Sequence, residues 1–319
     1  MALVSSDEIK NWAAAFEAER HKVAIKFAIF FFGGIVAFIL GLVFFFLAFL
    51  NEGNASSFNV LKVLGFIFLI PGIVMIVVGL LINSSFKKKV RSVVEQRVLD
   101  SLFPQRTVDP NRGLMLGLIM KPGFFNPPDR YIGRDYMSSS YDGIPFEKAS
   151  YNLQRRETRS DGKNTYTEWV TYAEGTMYHF TFERDFGQVV KVLEKSGYLT
   201  FGSTGLTKVE TEYILFNKKF RVLASDETTV FYLLTPQIQE KIMDLEGNFA
   251  GHFFLAFMGN ELFIAVDDSH RSISVPLFKK ITEEVMAHIY SVYAIPKIFI
   301  ELLGLNKNKF KKDAGGTAV

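Results

Sequence analysis

Two long uncharged runs lie close to the N-terminus of the chain, one from Phe27 to Leu50 and one from Val63 to Ile82. The first run has 24 residues, which as a helix extend about 36 Å and suffice to cross a hydrocarbon core of ~30 Å. Backbone groups in lipid need partners within their own segment, so both runs are predicted to be helices. The pattern predicts a transmembrane helical hairpin over residues 27–82, with helices at 27–50 and 60–82.

Apart from Lys62 at the outer end of the second run, the basic residues near this hairpin lie on one side of it. The intervening loop, residues 51–59, has no Lys or Arg and carries only Glu52. The basic residues outside the hairpin are Lys10, Arg20, Lys22 and Lys26 before it, and Lys87, Lys88, Lys89, Arg91 and Arg97 after it. Because positive loops stay in the cytoplasm, both termini and the following domain are predicted to be cytoplasmic.

Small residues recur every seven positions in both predicted membrane helices. They are Gly34, Gly41 and Ala48 in the first helix, and Gly65, Gly72 and Gly79 in the second. A seven-residue spacing places each trio on one stripe, and small residues let helix backbones approach closely in lipid. One hypothesis is that the two stripes face each other in a tight antiparallel hairpin. The alternative is that glycine is simply common in membrane helices.

The flanks of the hairpin have amphipathic patterns. Residues 1–26 predict a helix that lies on the inner membrane surface with Trp12 at headgroup level, or one that docks on the soluble domain. Asn83-Ser84-Ser85 predicts a break, followed by a juxtamembrane amphipathic helix over residues 83–103. The cations expected to hold that helix to anionic headgroups are Lys87, Lys88, Lys89 and Arg91.

Beyond residue 103 the periodicity changes from that of helices to that of strands. Residues 104–142 contain five prolines and several glycines, which predicts a connecting region without long elements. Its aromatic and acidic segment, residues 131–142, is interpreted as a packed or partner-binding loop. Residues 143–305 predict an α+β domain with a mainly antiparallel sheet and packed helices, and residues 306–319 a disordered basic tail.

The predicted strands are Thr165–Tyr172 beside Met177–Glu183, Glu210–Phe216, Phe220–Ala224, and the hairpin of Phe253–Met258 with Glu261–Val266. The predicted helices begin at Glu227, at Pro236 and near Pro276, and the last ends or bends at Pro296.

Composition and motifs exclude several classes of function. The net charge of +3 is too small to indicate a nucleic-acid partner, and the absence of Cys excludes thiolate chemistry. None of the five His residues lies in a known metal or catalytic motif. Two weak clusters remain: the predicted turn of residues 267–270, and Glu284 with His288 one helical turn apart. A solvated turn and a plain surface pair explain them more simply than a metal or ligand site does, so the sequence predicts no catalytic, cofactor-binding or metal-binding residues and no cofactor.

Part of the soluble domain resembles a known family. The residues that carry the resemblance are Tyr141-Asp142-Gly143, Phe180-Thr181-Phe182, Phe216 to Val222 (FNKKFRV), Ser225-Asp226 and Leu234-Thr235-Pro236. Together with the membrane helices they are similar, over roughly residues 10–300, to a bacterial family classed as domain of unknown function number thirty-one thirty-seven. Members of that family are often associated with LemA-type membrane proteins, so the resemblance implies a partner of that kind. It implies no catalytic residues.

Three functional interpretations remain open. The leading one is a non-catalytic protein-interaction or scaffold component of an inner-membrane assembly, whose partners are membrane lipids and either a LemA-type protein or further copies of itself. The second is a membrane-bound hydrolase with an acidic and histidine site that includes Asp267 and His270. The third, a lipid- or solute-handling subunit, is less favoured because both membrane runs lack interior charges.

Overall fold

The computed structural model describes residues 6–50, 55–160, 162, 165–195, 205–247, 251–267, 277 and 280–311. The chain divides into two compact units. The helical unit comprises Met1–Asp100 and Ile273–Tyr293, and the sheet unit comprises Ser101–Ser272 and Ala294–Val319. Within these bounds the fold is α+β, with two long apolar helices at the N-terminus followed by an antiparallel sheet with packed helices, as predicted.

Two continuous helices, α1 (Ser6–Leu50) and α2 (Ala55–Leu102), begin the chain. Their segments Lys10–Leu50 and Asn59–Phe86 are long and apolar enough to cross a membrane. The predicted break at Asn83-Ser84-Ser85 is absent, and α1 likewise continues through residue 26 without interruption. Propagating a helix fixes one residue for each hydrogen bond gained, so strong helix on both sides outweighs the weak propensity of Asn and Ser.

The first part of α1 packs against protein. Its Phe16 is buried, and α1 contacts helix α7 (Glu283–Tyr293) within the helical unit. The Glu17 carboxylate accepts hydrogen bonds from Ile281 N–H (2.9 Å) and from Arg20 Nε (2.8 Å). Of the two predicted arrangements for residues 1–26, this contact supports docking on a later part of the chain. Trp12 is half-buried, and its position at the headgroups stays a prediction.

Glycines lie where the two long helices approach each other. A Cβ on Gly72 would lie 2.7 Å from Phe38 N, and one on Gly34 would lie 2.9 Å from Gly72 O. A Cβ on Gly41 would lie 2.8 Å from Leu69 N. These distances leave no room for a side chain. The other members of the stripes are Gly65, which faces Phe45, Gly79, which faces Phe31, and the buried Ala48.

The sheet unit is built on a sheet in which nine antiparallel strands are described. Their spatial order is β1-β2-β3-β4-β9-β8-β5-β7-β6. The strands are β1 (Arg106–Asp109), β2 (Arg130–Tyr141), β3 (Ile144–Ser160), β4 (Thr165–Thr181), β5 (Val189–Glu194), β6 (Thr207–Val209), β7 (Phe220–Ala224), β8 (His252–Met258) and β9 (Glu261–Asp267). The helices of this unit are α3 (Leu116–Met120), α4 (Ile214–Lys219), α5 (Glu227–Leu233), α6 (Pro236–Gly247), α8 (Ile295–Leu303) and a short 3₁₀ helix, Asn308–Phe310.

Both faces of the central strands are covered. On one face, the Phe299 ring of α8 lies 5.2 Å from the Tyr178 ring and 6.2 Å from the Phe253 ring. On the other face, Phe124 lies 5.8 Å from Phe254 and Phe125 lies 5.0 Å from Tyr151. Apolar cover on both sides explains why β8 is an almost unbroken apolar run, since a strand with one solvated face would alternate.

Several local predictions are confirmed. Strands β8 and β9 form the predicted hairpin, with Met258 opposite Glu261 across the Gly-Asn turn. Asp226 caps α5 by accepting the Thr229 N–H, and Ile238, Ile242 and Leu245 face the core from α6. The predicted last helix is divided into α7 and α8, and Pro296 lies in the first turn of α8, where its missing N–H costs nothing. The predicted helix start near Pro276 and the part of the predicted tail from residue 312 lie outside the described residues.

Three local predictions are wrong. Residues 130–141, predicted to lie in a connecting region with a loop, form a long strand, β2. A β-bulge between Arg134 and Met137 allows the pairing with β3 to continue on both sides of it. Residues 165–181 are one strand, β4, rather than two neighbouring strands. Gly175 lies within this strand, where a Cβ would overlap Val266 O of β9. Residues 210–216 are not a strand, because the Asn217 side chain bonds the backbone of Thr211 and closes a turn that leads into α4.

Candidate functional site

Strands β3 and β4 extend far beyond their neighbours in the sheet. Strand β2 pairs with β3 only as far as Gln154, and β9 pairs with β4 only from Thr176 to Thr181. Within the described part of the chain, Arg155–Ser160 of β3 pair only with Thr165–Val170 of β4. Thr171 of β4 pairs with Gln154 and has no strand on its other side among these residues. We call this two-stranded extension the arm. A β-bulge at its base, where Tyr172 is the extra residue between Ala173 and Thr171, marks the departure from the sheet.

The arm is almost entirely solvent-exposed, although its residues are typical of a strand. Trp169 is 45% exposed and Tyr166 is 50% exposed. The Arg130 guanidinium lies 5.6 Å from the centre of the Trp169 ring, and Arg156 is directly opposite Trp169 on the same face. Trp, Tyr and Arg are the residues that dominate binding energy at protein interfaces. The arm therefore exposes residue types that are typical of protein–protein interfaces, and no other described segment of the chain covers them.

The opposite face of the arm is charged but balanced. Glu157 and Glu168 are directly opposite each other, an arrangement that destabilises a strand pair unless a cation intervenes. Arg159 supplies that cation, at 3.4 Å from Glu168 and 3.7 Å from Glu157. All three side chains are about half exposed, so these pairs neutralise the face more than they stabilise it.

A polar network lies on the inner, covered half of the same strands. The imidazole of His179 is 7% exposed and lies between two carboxylates. Nδ1 is 3.0 Å from Glu147 Oε1 of β3, and Nε2 is 2.9 Å from Glu261 Oε1 of β9. The ring stacks on Phe263 at 4.7 Å between centroids. Lys121 pairs with Glu261 and extends the network beyond the end of α3.

Electrostatics favour the ionised form of Glu147. The hydrogen bond from His179 lowers the pKa of Glu147, and the Tyr136 hydroxyl, which donates to Oε2 at 3.1 Å, lowers it further against the opposing effect of burial. A neutral imidazole has one N–H, so only the imidazolium can donate to both carboxylates at once. The network joins three adjacent strands, β3, β4 and β9, through charge-assisted hydrogen bonds.

An open groove of about 680 Å³ lies beside this network. Its lining includes Thr107, Ser138, Ser139, Glu147, His179 and Thr181. The lining is hydroxyl-rich. Both ring nitrogens of His179 lie within hydrogen-bonding distance of carboxylates, so neither nitrogen contacts a substrate in the groove unless a carboxylate is displaced. Glu147 and Glu261 bind opposite edges of the ring and do not converge on one point. In the described part of the chain, no group of three His, Asp or Glu side chains is arranged to hold a metal ion.

The structure brings few of the sequence-predicted candidates together. Asp267 ends β9, whereas its predicted companions, residues 268–270, lie outside the described residues. Glu284 and His288 are exposed on α7, in agreement with a surface location. Lys87, Lys88, Lys89 and Arg91 lie in the continuous helix α2, and their side chains are outside the described residues. The roles assigned to these cations stay predictions.

Sequence reasoning missed both features of this site. The alternation of residues 177–183 predicts a half-buried strand with His179 on its polar side, yet both faces of β4 are covered at this point. The only signal for the network was a histidine within an aromatic strand, which is not specific. The sequence signal for the arm is more specific. A strand is predicted over residues 165–172 (TYTEWVTY), and its mixed polar composition is compatible with solvent on both faces.

Part of the chain matches the model of a protein family of unknown function. A family model described as protein of unknown function, DUF3137, matches residues 171–303, the part of the chain that begins at the base of the arm. No curated protein matches the chain. The crystal structure of mycobacterial trehalose monomycolate transport factor A, TtfA, is similar at 7% identity and a TM-score of 0.35, over 66% of this chain and 91% of that one.

Proposed function

We propose that the chain is a membrane-anchored, non-catalytic protein-interaction component whose docking surface is the arm. The observation that supports this most directly is the exposure of Trp169 and Tyr166 on a ribbon that lacks a third strand among the described residues. A two-stranded hairpin is at best marginally stable in water, so a partner strand or surface would stabilise it.

The proposed location is the inner membrane of a bacterium, with both termini and the sheet unit in the cytoplasm. The two membrane-capable helices support membrane insertion, and the distribution of Lys and Arg supports this orientation. The absence of Cys makes a labelling test simple. Thr167→Cys, on the arm, is expected to react with a membrane-impermeant maleimide only after cells are permeabilised, and labelling of intact cells would contradict the orientation.

The proposed partner is a LemA-type membrane protein, which rests on the family resemblance of the sequence. The test is co-purification of the full chain with that protein in mild detergent, with Trp169→Ala as the arm variant. Phe231→Ala on α5 is the matched control, because Phe231 is as exposed as Trp169, at 45%. Loss of the partner with Trp169→Ala but not with Phe231→Ala supports the proposal, and equal recovery from both variants counts against it.

We further propose that the glycine stripes hold the membrane hairpin together. The supporting geometry is the close approach at Gly34, Gly41 and Gly72, where a side chain would overlap the facing helix. Gly72→Leu is expected to reduce cross-linking between the two helices, because a branched side chain must push the backbones apart. Val74→Leu, at an exposed apolar position, is the control. Unchanged cross-linking in Gly72→Leu would contradict the proposal.

A further inference from the structure

The outer edge of β4 in the arm is the longest edge without a neighbouring strand among the described residues. Its seven residues, Thr165–Thr171, extend about 24 Å in a strand. The two terminal strands of the sheet, β1 and β6, are only four and three residues long. Long edges present rows of backbone N–H and C=O groups that pair readily with another strand. Short edges are one of the ways in which proteins avoid such pairing.

The other edge of the arm, along β3, is protected. The Asp129 carboxylate accepts the Arg156 N–H at 2.8 Å and so occupies a backbone donor that an added strand would need. Arg155, Arg156 and Arg159 also concentrate positive charge on this strand. By contrast, residues 165–171 contain no Lys, Arg or Pro, the residues that usually block an edge. Strand addition is therefore directed to β4.

We infer that the β4 edge of the arm pairs antiparallel with the same edge of a second copy of this chain. This inference rests on the proposed interaction function and names one occupant of the docking surface. An antiparallel two-fold arrangement places the two arms side by side and pointing in opposite directions, so the two sheet units lie at opposite ends without crowding. Such a closed, self-complementary contact is the commonest basis of homodimers.

The composition of the edge suits a copy of itself. Its only charged residue, Glu168, already pairs with Arg159 of the same arm, so two copies meet without net repulsion across the edge. The remaining residues, Thr, Tyr, Trp and Val, form favourable cross-strand pairs. Pairing also converts two marginal two-stranded ribbons into one four-stranded sheet, which exceeds the three strands needed for independent stability. Confinement of both copies to one membrane raises their effective concentration.

The test uses single cysteines in the full chain in native membranes, which is possible because the chain has none of its own. The edge variants are Thr165→Cys, Thr167→Cys and Trp169→Cys. The matched control is Thr158→Cys, since Thr158 lies directly opposite Thr167 on β3 and on the same face. In the paired arms, two copies of Thr158 are separated by three strand spacings, about 14 Å, whereas a disulfide requires Cα atoms within about 7 Å.

The expected result is a disulfide-linked dimer for at least one β4 position, the one nearest the two-fold axis, and none for Thr158→Cys. Absence of the dimer from every β4 variant, or equal cross-linking of Thr158→Cys, overturns the inference. Urea unfolding of each detergent-solubilised variant at the denaturant concentration of the unsubstituted chain shows that the variant is folded. If cross-linking fails while Trp169→Ala still abolishes binding of a LemA-type protein, the self-pairing is wrong and the proposed function stands. If the dimer forms but Trp169→Ala leaves that binding intact, the heterologous partner docks elsewhere.

Discussion

Strands β3 and β4 have two halves with opposite surroundings. In the inner half, residues such as Tyr151 and Met177 are buried, and His179 links three strands through two carboxylates. In the outer half, the same two strands continue as the arm, with side chains exposed on both faces. The pairing between the strands is continuous across the boundary apart from one bulge.

This difference shows that strand pairing and the burial of apolar side chains contribute separately to the stability of the fold. The hydrogen-bonded ladder continues into the arm, but the cover supplied by α8 on one face and Phe124 and Phe125 on the other ends at the inner half. Because most stability comes from burying apolar surface, substitutions in the inner half are expected to change folding. Substitutions in the arm are expected to change binding.

The largest expected effect is the loss of Phe263 from the inner half. Its ring is fully buried and stacks on His179. Phe263→Ala is expected to lower the free energy of unfolding by about 3–5 kcal/mol, because it removes apolar contact and leaves a cavity. Urea unfolding of the full chain in mild detergent measures this. A change as small as that of Thr167→Ala in the arm would contradict the distinction between the two halves.

Removal of the central imidazole has a smaller expected effect. His179→Ala leaves Glu147 and Glu261 without their shared donor, and an unsatisfied partly buried acceptor costs about 1–3 kcal/mol. The measurement is again the free energy of unfolding. His252→Ala serves as control, because His252 is less buried and its ring nitrogen is 3.9 Å from Glu194. Equal effects of the two variants would show that the network contributes nothing specific.

Lowering the pH is expected to reduce the stability of the inner half of β3 and β4, where Glu147 lies. The pKa of Glu147 is lowered from its ordinary 4.5, first by the hydrogen bond from His179. A lowered folded-state pKa contributes stability that is present above pH 4.5 and is lost as the pH falls through the folded-state value. The free energy of unfolding should therefore decline below pH 4.5, and Glu147→Gln should flatten that decline. An unchanged acid slope in Glu147→Gln would argue against this linkage.

The smallest expected effect on folding is that of Trp169→Ala in the arm. Half-exposed residues outside the core usually change stability by no more than about 0.5 kcal/mol. The expected outcome is near-wild-type unfolding together with loss of arm-dependent association, measured by the apparent mass of the detergent-solubilised chain. Destabilisation comparable to that of Phe263→Ala would mean that the arm is part of the folded core.

Several elements were predictable because their signals are local. The Gly-Asn turn between β8 and β9, the Asp226 cap of α5 and the apolar face of α6 each depend on a few neighbouring residues. The two membrane-capable helices were predictable because uncharged runs of that length have few alternatives. The break expected at residues 83–85 and the division of residues 165–183 into two neighbouring strands were wrong, because longer-range continuity of helix or strand outweighed weak local signals.

The sequence by itself thus determined where the chain is apolar enough for a membrane, that a mainly antiparallel α+β unit follows, and which tight turns and caps it contains. These features depend on composition and short-range periodicity. Only the tertiary structure decided that His179 lies between Glu147 and Glu261, which are 32 and 82 residues away. It also decided that β3 and β4 extend past their neighbours. Both results depend on how far adjacent strands extend and what covers them, and no local pattern in one strand encodes the length of another.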